Sequence, residues 1–260
     1  MTTTATRHRP RLDPDTRGGL RLTLAAAGGL ILIVPFALLL LLVVDHWAPL
    51  RRLDLQLAAR LNAFAFLHPG YVSFLKVITT IGHPAVFEAG TVVVMAWLLK
   101  RRRQRLAVWL AVTVFGGGLL STLVKDAVGR KRPLLPHPVA HAAGASFPSG
   151  HAIGSVVGVG ALMLVFLPYA RRSARPAWIG LGVLVVLAVG FSRLGLGLHY
   201  LSDVLGGYIL GTGWLAVSIA VFTAWRRDLV RARPAGGHKL GTGFRDRHSG
   251  DGPAAPRHRP

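Results

Sequence analysis

The chain has 260 residues, 52% of them hydrophobic and 16% charged, with no cysteine, and a mean hydropathy of +0.47. A soluble domain carries about a quarter charged residues, so this composition excludes a water-soluble globular protein, and the missing cysteines exclude disulfides and thiolate metal sites. The net charge of +21 would suit a nucleic acid, but the basic residues flank apolar runs and fill the two tails. There they act as topology signals and attract anionic lipid headgroups, and no nucleic-acid partner is expected.

Residues 1–21 form a polar N-tail with Arg7, Arg9, Arg11, Arg17 and Arg21. Leu22 to Val44 carries no charge and is long enough to cross a bilayer as a helix. It exceeds a signal-peptide core and no small-residue cleavage site follows, so a retained anchor is expected. Asp45 to Gly82 is mixed: Leu57, Leu61 and Phe64 share a helical face, with Arg60 and Asn62 elsewhere, which predicts an amphipathic interfacial helix. His68-Pro69-Gly70 breaks it.

A second span is expected over about Pro84 to Leu99, ended by the basic run from Lys100 to Arg105. Glu88 near its start is either an interfacial charge or a buried partner for a base. The third span is Leu106 to Val124, followed by a polar connection, Lys125 to Gly150, rich in Pro, His and Arg. Spans four, five and six run over about His151–Tyr169, Ala177–Phe191 and Val204–Trp225. Gly150, Gly154 and Gly158 repeat every four residues, as do Gly207 and Gly211, forming small-residue ridges that let membrane helices approach closely. From Arg226 onward the composition predicts a disordered basic tail.

The expected architecture is therefore all-α, a polytopic membrane helix bundle. A cytoplasmic N-tail (1–21) precedes a six-helix transmembrane domain (22–225) and a cytoplasmic C-tail (226–260). Most Lys and Arg residues lie in the tails and in the connections after spans two and four. The positive-inside rule then puts both termini in the cytoplasm and the polar connection on the other face of the cell membrane. The stretch Ser192-Arg-Leu-Gly-Leu-Gly-Leu-His199-Tyr-Leu-Ser-Asp203 shares that extracytoplasmic face.

Three polar clusters lie at those span ends. The first joins Lys125 to Arg132-Pro133; the second is Pro148-Ser149-Gly150-His151; the third is Ser192-Arg193, His199 and Asp203. Lys125, Arg132 and Arg193 suit a tetrahedral anion, the arginines through paired N–H bonds and the lysine as a point charge. Ser149 and Gly150 precede a helix, whose backbone N–H groups and dipole favour an anion. His199 and Asp203, four apart at a helix start, fall on one face, so the carboxylate can take one imidazole N–H and leave the other nitrogen to attack. His151 is placed as general acid for the leaving oxygen. His137 and His141 are also four apart, but the flanking prolines make a helix there unfavourable, and no metal site is expected.

Taken in order, K-x6-RP, PSGH and SR-x5-H-x3-D resemble the three-part signature of the type-2 phosphatidic-acid phosphatase and vanadium-haloperoxidase superfamily, with every signature position present. The resemblance covers about residues 20–225. It implies a six-helix membrane core and hydrolysis without metal or cofactor through a phosphohistidine on His199. Asp203 would orient His199, His151 would protonate the leaving group, and Lys125, Arg132, Ser149, Gly150 and Arg193 would hold the phosphoryl oxygens. The expected substrate is a lipid phosphate or diphosphate at the outer leaflet, with undecaprenyl diphosphate favoured, then phosphatidic acid or phosphatidylglycerophosphate. The alternatives are a lipid phosphotransferase and a non-catalytic lipid-binding membrane protein.

Overall fold

The computed structural model describes residues 32–231, with side chains as far as residue 225. The N-tail, the start of the first span and the C-tail beyond 231 lie outside the described residues. Within them the secondary structure is helical throughout. The helices are α1 (Leu32–Val44), α2 (Ala48–Leu67), α3 (Pro69–Ile81), α4 (Pro84–Lys100), α5 (Gln104–Val128), α6 (Gly150–Phe166), α7 (Arg175–Gly195) and α8 (Leu201–Arg231). Two short 3-10 turns, Leu167–Tyr169 and Arg172–Ala174, join α6 to α7.

Among the described residues, five segments are long and apolar enough to cross a membrane, and a sixth is reached if α1 and α2, bent by 83° at their break, count as one span. The all-α, multi-span bundle expected from the sequence is therefore what the chain forms. Proline opens α2, α3 and α4, where its missing N–H is no loss because the first-turn N–H groups have no intrahelical acceptor. The break expected at His68-Pro69-Gly70 is present, but the second span starts there and not at Pro84. That tripeptide ends α2 and also starts α3, which combines with α4 into the span Pro69–Lys100.

A second correction concerns α2. The side chains it buries are Asp54, Ala58, Asn62 and Ala65, a polar and small stripe at three- and four-residue spacing. Leu57 and Leu61 are half-buried and Phe64 points away from the bundle. Between membrane helices an apolar side chain gains little by leaving lipid for protein, so small and polar residues are the ones that dock.

Helix α6 is the central element, touching α4, α5, α7 and α8. Its apolar core of Ile153, Val157, Ala161 and Val165 meets Leu98 of α4 and Leu110 of α5. The glycine ridges set the spacing. A Cβ added at Gly207 of α8 would lie 2.8 Å from the Ser149 carbonyl oxygen and 2.7 Å from Ala152 Cβ. At Gly158 it would lie 2.6 Å from the Phe87 ring. Close approach here brings the start of α6 onto the start of α8, and the Ser149 N–H donates to the Asp203 carbonyl at 2.9 Å.

Candidate active site

The ends of α5 and α7 and the starts of α6 and α8 converge at one end of the bundle. Helix α5 runs four residues past the expected boundary, so Lys125 sits in its last turn. Helix α7 likewise continues to Gly195, which puts Ser192 and Arg193 in its last turn. A tight loop then carries His199. Gly197 takes a left-handed backbone there (φ 69), which glycine adopts without steric cost. The Leu198 and His199 N–H groups both donate to the Arg193 carbonyl, at 3.0 and 3.3 Å.

His199 therefore precedes α8, and the expectation that it shares a helical face with Asp203 needs correcting. The two meet because the loop folds back over the helix start. Asp203 Oδ2 accepts the Tyr200 N–H at 2.8 Å, as a capping carboxylate does, and lies 3.4 Å from His199 Nδ1. The Ser146 hydroxyl donates to the same oxygen. On the other side of the ring, an Arg132 N–H points at His199 Nε2 at 3.1 Å. With Nδ1 protonated toward the carboxylate, the Nε2 lone pair faces the cations.

His199 is 2% exposed. Burial pushes its pKa down to about 4; the Asp203 carboxylate pulls it upward, and Arg132 and Arg193 add to the fall. At neutral pH the ring is uncharged.

Around Nε2 stands a set of donors with nothing to donate to. Arg193, 5% exposed, gives one N–H to Thr79 Oγ1 at 2.6 Å, but its buried Nε has no partner. Ser149, fully buried at the cap of α6, has an Oγ without a partner. Lys125 has no hydrogen-bond or ion-pair partner among the described residues, and a Cβ at Gly150 would sit 3.7 Å from its Nζ.

Arg132 is placed differently from the other cations. It donates to the carbonyls of Gly144 at 3.1 Å, Leu198 at 2.8 Å and Ala143 at 3.0 Å, so part of its fork ties the polar connection to the His199 loop. The His151 ring lies edge-on to His83, centroids 5.0 Å apart. The eight residues singled out from the sequence thus meet where the ends of α5 and α7 and the starts of α6 and α8 converge. Buried polar groups are nearly always satisfied; three orphaned donors at a helix N-terminus form a site shaped for an anion with several oxygens.

Sequence reasoning missed several neighbours: Arg130, Asp54, Ser146, Ser202, Thr79 and His83. Asp54 had a signal, as the one carboxylate in the small and polar stripe of α2. The other residues carried none. His137 is a strut: its ring stacks on Phe66 at 4.3 Å and its carbonyl accepts from Asn62 at 2.8 Å. Glu88 has no ion-pair partner among the described residues. It lines a cavity of about 290 Å³ between α4, α5 and α6 that begins at Lys125 and Gly150. No group of three or more His, Asp or Glu among the described residues is arranged to hold a metal ion.

Residues 106–227 match the family model of the PAP2 superfamily. Phosphatidylglycerophosphatase B of Bacillus subtilis is 42% identical over 39% of this chain and 51% of its own length. Lipid A 1-phosphatase of Rhizobium etli is 34% identical over 49% of this chain and 55% of its own. Undecaprenyl-diphosphatase of Bacillus subtilis is 30% identical over 48% of this chain and 63% of its own. The chain thus spans about half the length of the first two relatives. In fold it is similar to the crystal structure of a transmembrane PAP2 type phosphatidylglycerolphosphate phosphatase from Bacillus subtilis. The TM-score is 0.63 with 24% identity, over 79% of this chain and 98% of that one.

Proposed function

We propose, from the premise that its segment 106–227 belongs to the PAP2 superfamily, that this multi-span membrane protein is a lipid phosphatase working through a phosphohistidine on His199. The observation that carries this reading is the ring of unsatisfied donors, Lys125 Nζ, Arg193 Nε and Ser149 Oγ, gathered beside the imidazole. A phosphoryl group supplies the acceptors they lack.

In the first step Nε2 of His199 attacks phosphorus and a P–N bond forms. The bond from phosphorus to the lipid-side oxygen breaks, and His151 gives that oxygen a proton. Asp203 holds the Nδ1 proton and offsets the charge that develops on the ring. In the second step water attacks phosphorus, His151 takes its proton, and the P–N bond breaks to release phosphate and the free imidazole. Phosphoryl transfer rests on positioning and charge neutralisation. Lys125, Arg132, Arg193 and the α6 N-terminus supply both.

The substrate class is a lipid carrying a phosphomonoester or diphosphate, as the names of the relatives suggest. The cavity below Lys125, lined in part by Phe87, Val114, Ile153 and Val157, offers apolar surface to a lipid tail. A polyprenyl diphosphate is proposed first, then phosphatidic acid or phosphatidylglycerophosphate. The site faces the extracytoplasmic side and both termini face the cytoplasm.

The test is phosphate release by detergent-purified protein across undecaprenyl diphosphate, phosphatidylglycerophosphate and phosphatidic acid, with His199→Ala beside it. Release should appear with at least one lipid and fall at least a thousandfold in the variant. A phosphoenzyme that survives alkali and decays in acid should form only with His199 present. Activity kept by His199→Ala overturns the covalent mechanism.

A further inference from the structure

We infer that Asp54 of α2 and Arg130 act as positioning residues, forming a clamp that fixes the orientation of Asp203 and, through it, of the His199 ring. The inference rests on the reading of His199 as nucleophile, and it reaches residues that neither the signature positions nor, for Asp54, the family-matched segment contains.

The two oxygens of Asp203 have separate partners. Oδ2 serves His199, the Tyr200 N–H and the Ser146 hydroxyl. Oδ1 has one partner among the described residues, an Arg130 N–H at 2.6 Å. The same guanidinium nitrogen also donates to Ser202 Oγ at 2.7 Å, and the other terminal nitrogen donates to Asp54 Oδ2 at 2.8 Å. Asp54 then closes the circuit: Oδ1 accepts the Ser202 N–H at 3.0 Å and Oδ2 accepts the Ser202 hydroxyl. Tyr200 lies under the guanidinium, 4.4 Å from ring centroid to Cζ. Residues 200, 202 and 203, which follow the nucleophile, are thus held from one side by a single planar cation and a single carboxylate.

Burial makes the arrangement costly unless it is complete. Asp54 is 1% exposed, and Ser202 and Asp203 are fully buried. A buried carboxylate needs its partners, and a guanidinium is the side chain that can reach two carboxylates in fixed geometry. Its importance to the reaction follows from the 3.4 Å separation of His199 Nδ1 and Asp203 Oδ2, which is already long for a hydrogen bond. If Oδ1 loses Arg130, the carboxylate is tethered through Oδ2 alone, by the Tyr200 N–H and the Ser146 hydroxyl, and a small pivot about that oxygen spoils its aim at the ring. Neither Asp54 nor Arg130 touches the orphaned donors of the phosphate cradle, so the clamp bears on the attack and leaves substrate binding alone.

The experiment is steady-state hydrolysis by wild type, Asp54→Asn, Arg130→Gln, Arg130→Lys and His199→Ala, purified in detergent, with labelling of the phosphoenzyme. Misplacing a reacting group by a fraction of an ångström to an ångström costs up to about a hundredfold. Asp54→Asn and Arg130→Gln should therefore lower kcat by about 10- to 100-fold, with KM within about twofold and slower phosphoenzyme formation. Arg130→Lys, which keeps the charge but reaches one carboxylate, should recover part of the loss. A rise in KM at unchanged kcat, or wild-type rates in both charge-removing variants, overturns the clamp. If Asp54→Asn does not give monodisperse protein, Ser202→Ala carries the test: kcat should fall several-fold at unchanged KM, and an unaltered kcat overturns the inference. Wild type active and His199→Ala dead, with Asp54→Asn unaffected, rejects the clamp alone. Wild type inactive on every lipid, with no phosphoenzyme, rejects the phosphatase reading and the clamp with it.

Discussion

A histidine that attacks phosphorus is useful only while its ring is neutral, and the surroundings of His199 keep it so over a wide range of pH. Burial is the main cause, and the cations Arg132 and Arg193 work in the same direction. In the folded protein the imidazole takes up its proton near pH 4, not near the ordinary 6.5. The sign follows: activity that needs neutral His199 is fully present above that value and is lost as pH falls through it. The acid limb of kcat/KM should therefore lie below pH 5, read from initial rates in detergent between pH 3.5 and 8. A limb centred near 6.5 would mean an unburied ring. Arg193 gives a second expectation at this scale. Its fork satisfies Thr79 with one nitrogen and keeps Nε for a ligand. Lysine cannot do both, so Arg193→Lys should lose about 100- to 1000-fold in kcat/KM, the range for removing one donor from a transition-state oxyanion. The residue types of the centre were legible because phosphoryl transfer calls for few groups and they recur at short spacing. What spacing could not show was that His199 lies outside the helix and that its carboxylate reaches it by a folded-back turn at Gly197.

Among the elements, α6 and α8 matter most, because their starts carry Ser149 and Asp203 and are hydrogen-bonded together. The contact depends on Gly207. A methyl group there meets the Ser149 carbonyl and Ala152 Cβ within van der Waals distance, and overpacking of this kind costs about 1–3 kcal/mol. Gly207→Ala should lower the melting temperature in detergent by several degrees. It should also reduce kcat, because the displaced atoms belong to the cap of α6; Gly90→Ala, where a Cβ meets nothing within 4 Å, serves as the control and should be silent in both. Helix identity was readable from apolar length, and so were the glycine ridges. Helix ends were not: Lys125 and Arg193 look like the first polar residues after a span, yet both lie inside the last turn. The direction of α2 was misleading for a related reason. Its apolar face is the conspicuous pattern in sequence, but lipid can take that face, and Asp54, Ala58, Asn62 and Ala65 do the docking.

For the molecule as a whole, the proposal that the candidate site faces away from the cytoplasm rests on the distribution of positive charge and can be tested directly. The chain has no cysteine of its own, so one introduced residue reports its side cleanly. Ala143 lies in the polar connection and is exposed. In intact cells an impermeant thiol reagent should label Ala143→Cys without lysis; labelling only after lysis would reverse the orientation. Composition alone established the number of spans to within one and the membrane setting. The partners that close the site from a distance were beyond it. Ser202 and Asp54 are 148 positions apart, and no local pattern links residues so far separated.

The docking of Asp54 also bears on what can be exchanged between proteins of this kind. Residues 106–227 look like a transplantable cassette, since they hold every signature residue. Yet Ser202 and Arg130 are braced by a carboxylate some fifty positions upstream of that cassette. A hybrid that takes its last four spans from this chain and its first helices from a relative would inherit the reacting groups without their brace. Such hybrids should assemble in the membrane yet turn over slowly until an acidic residue is restored at the matching position of the donor helix. The unit that has to move together in any recombination is the signature segment plus α2.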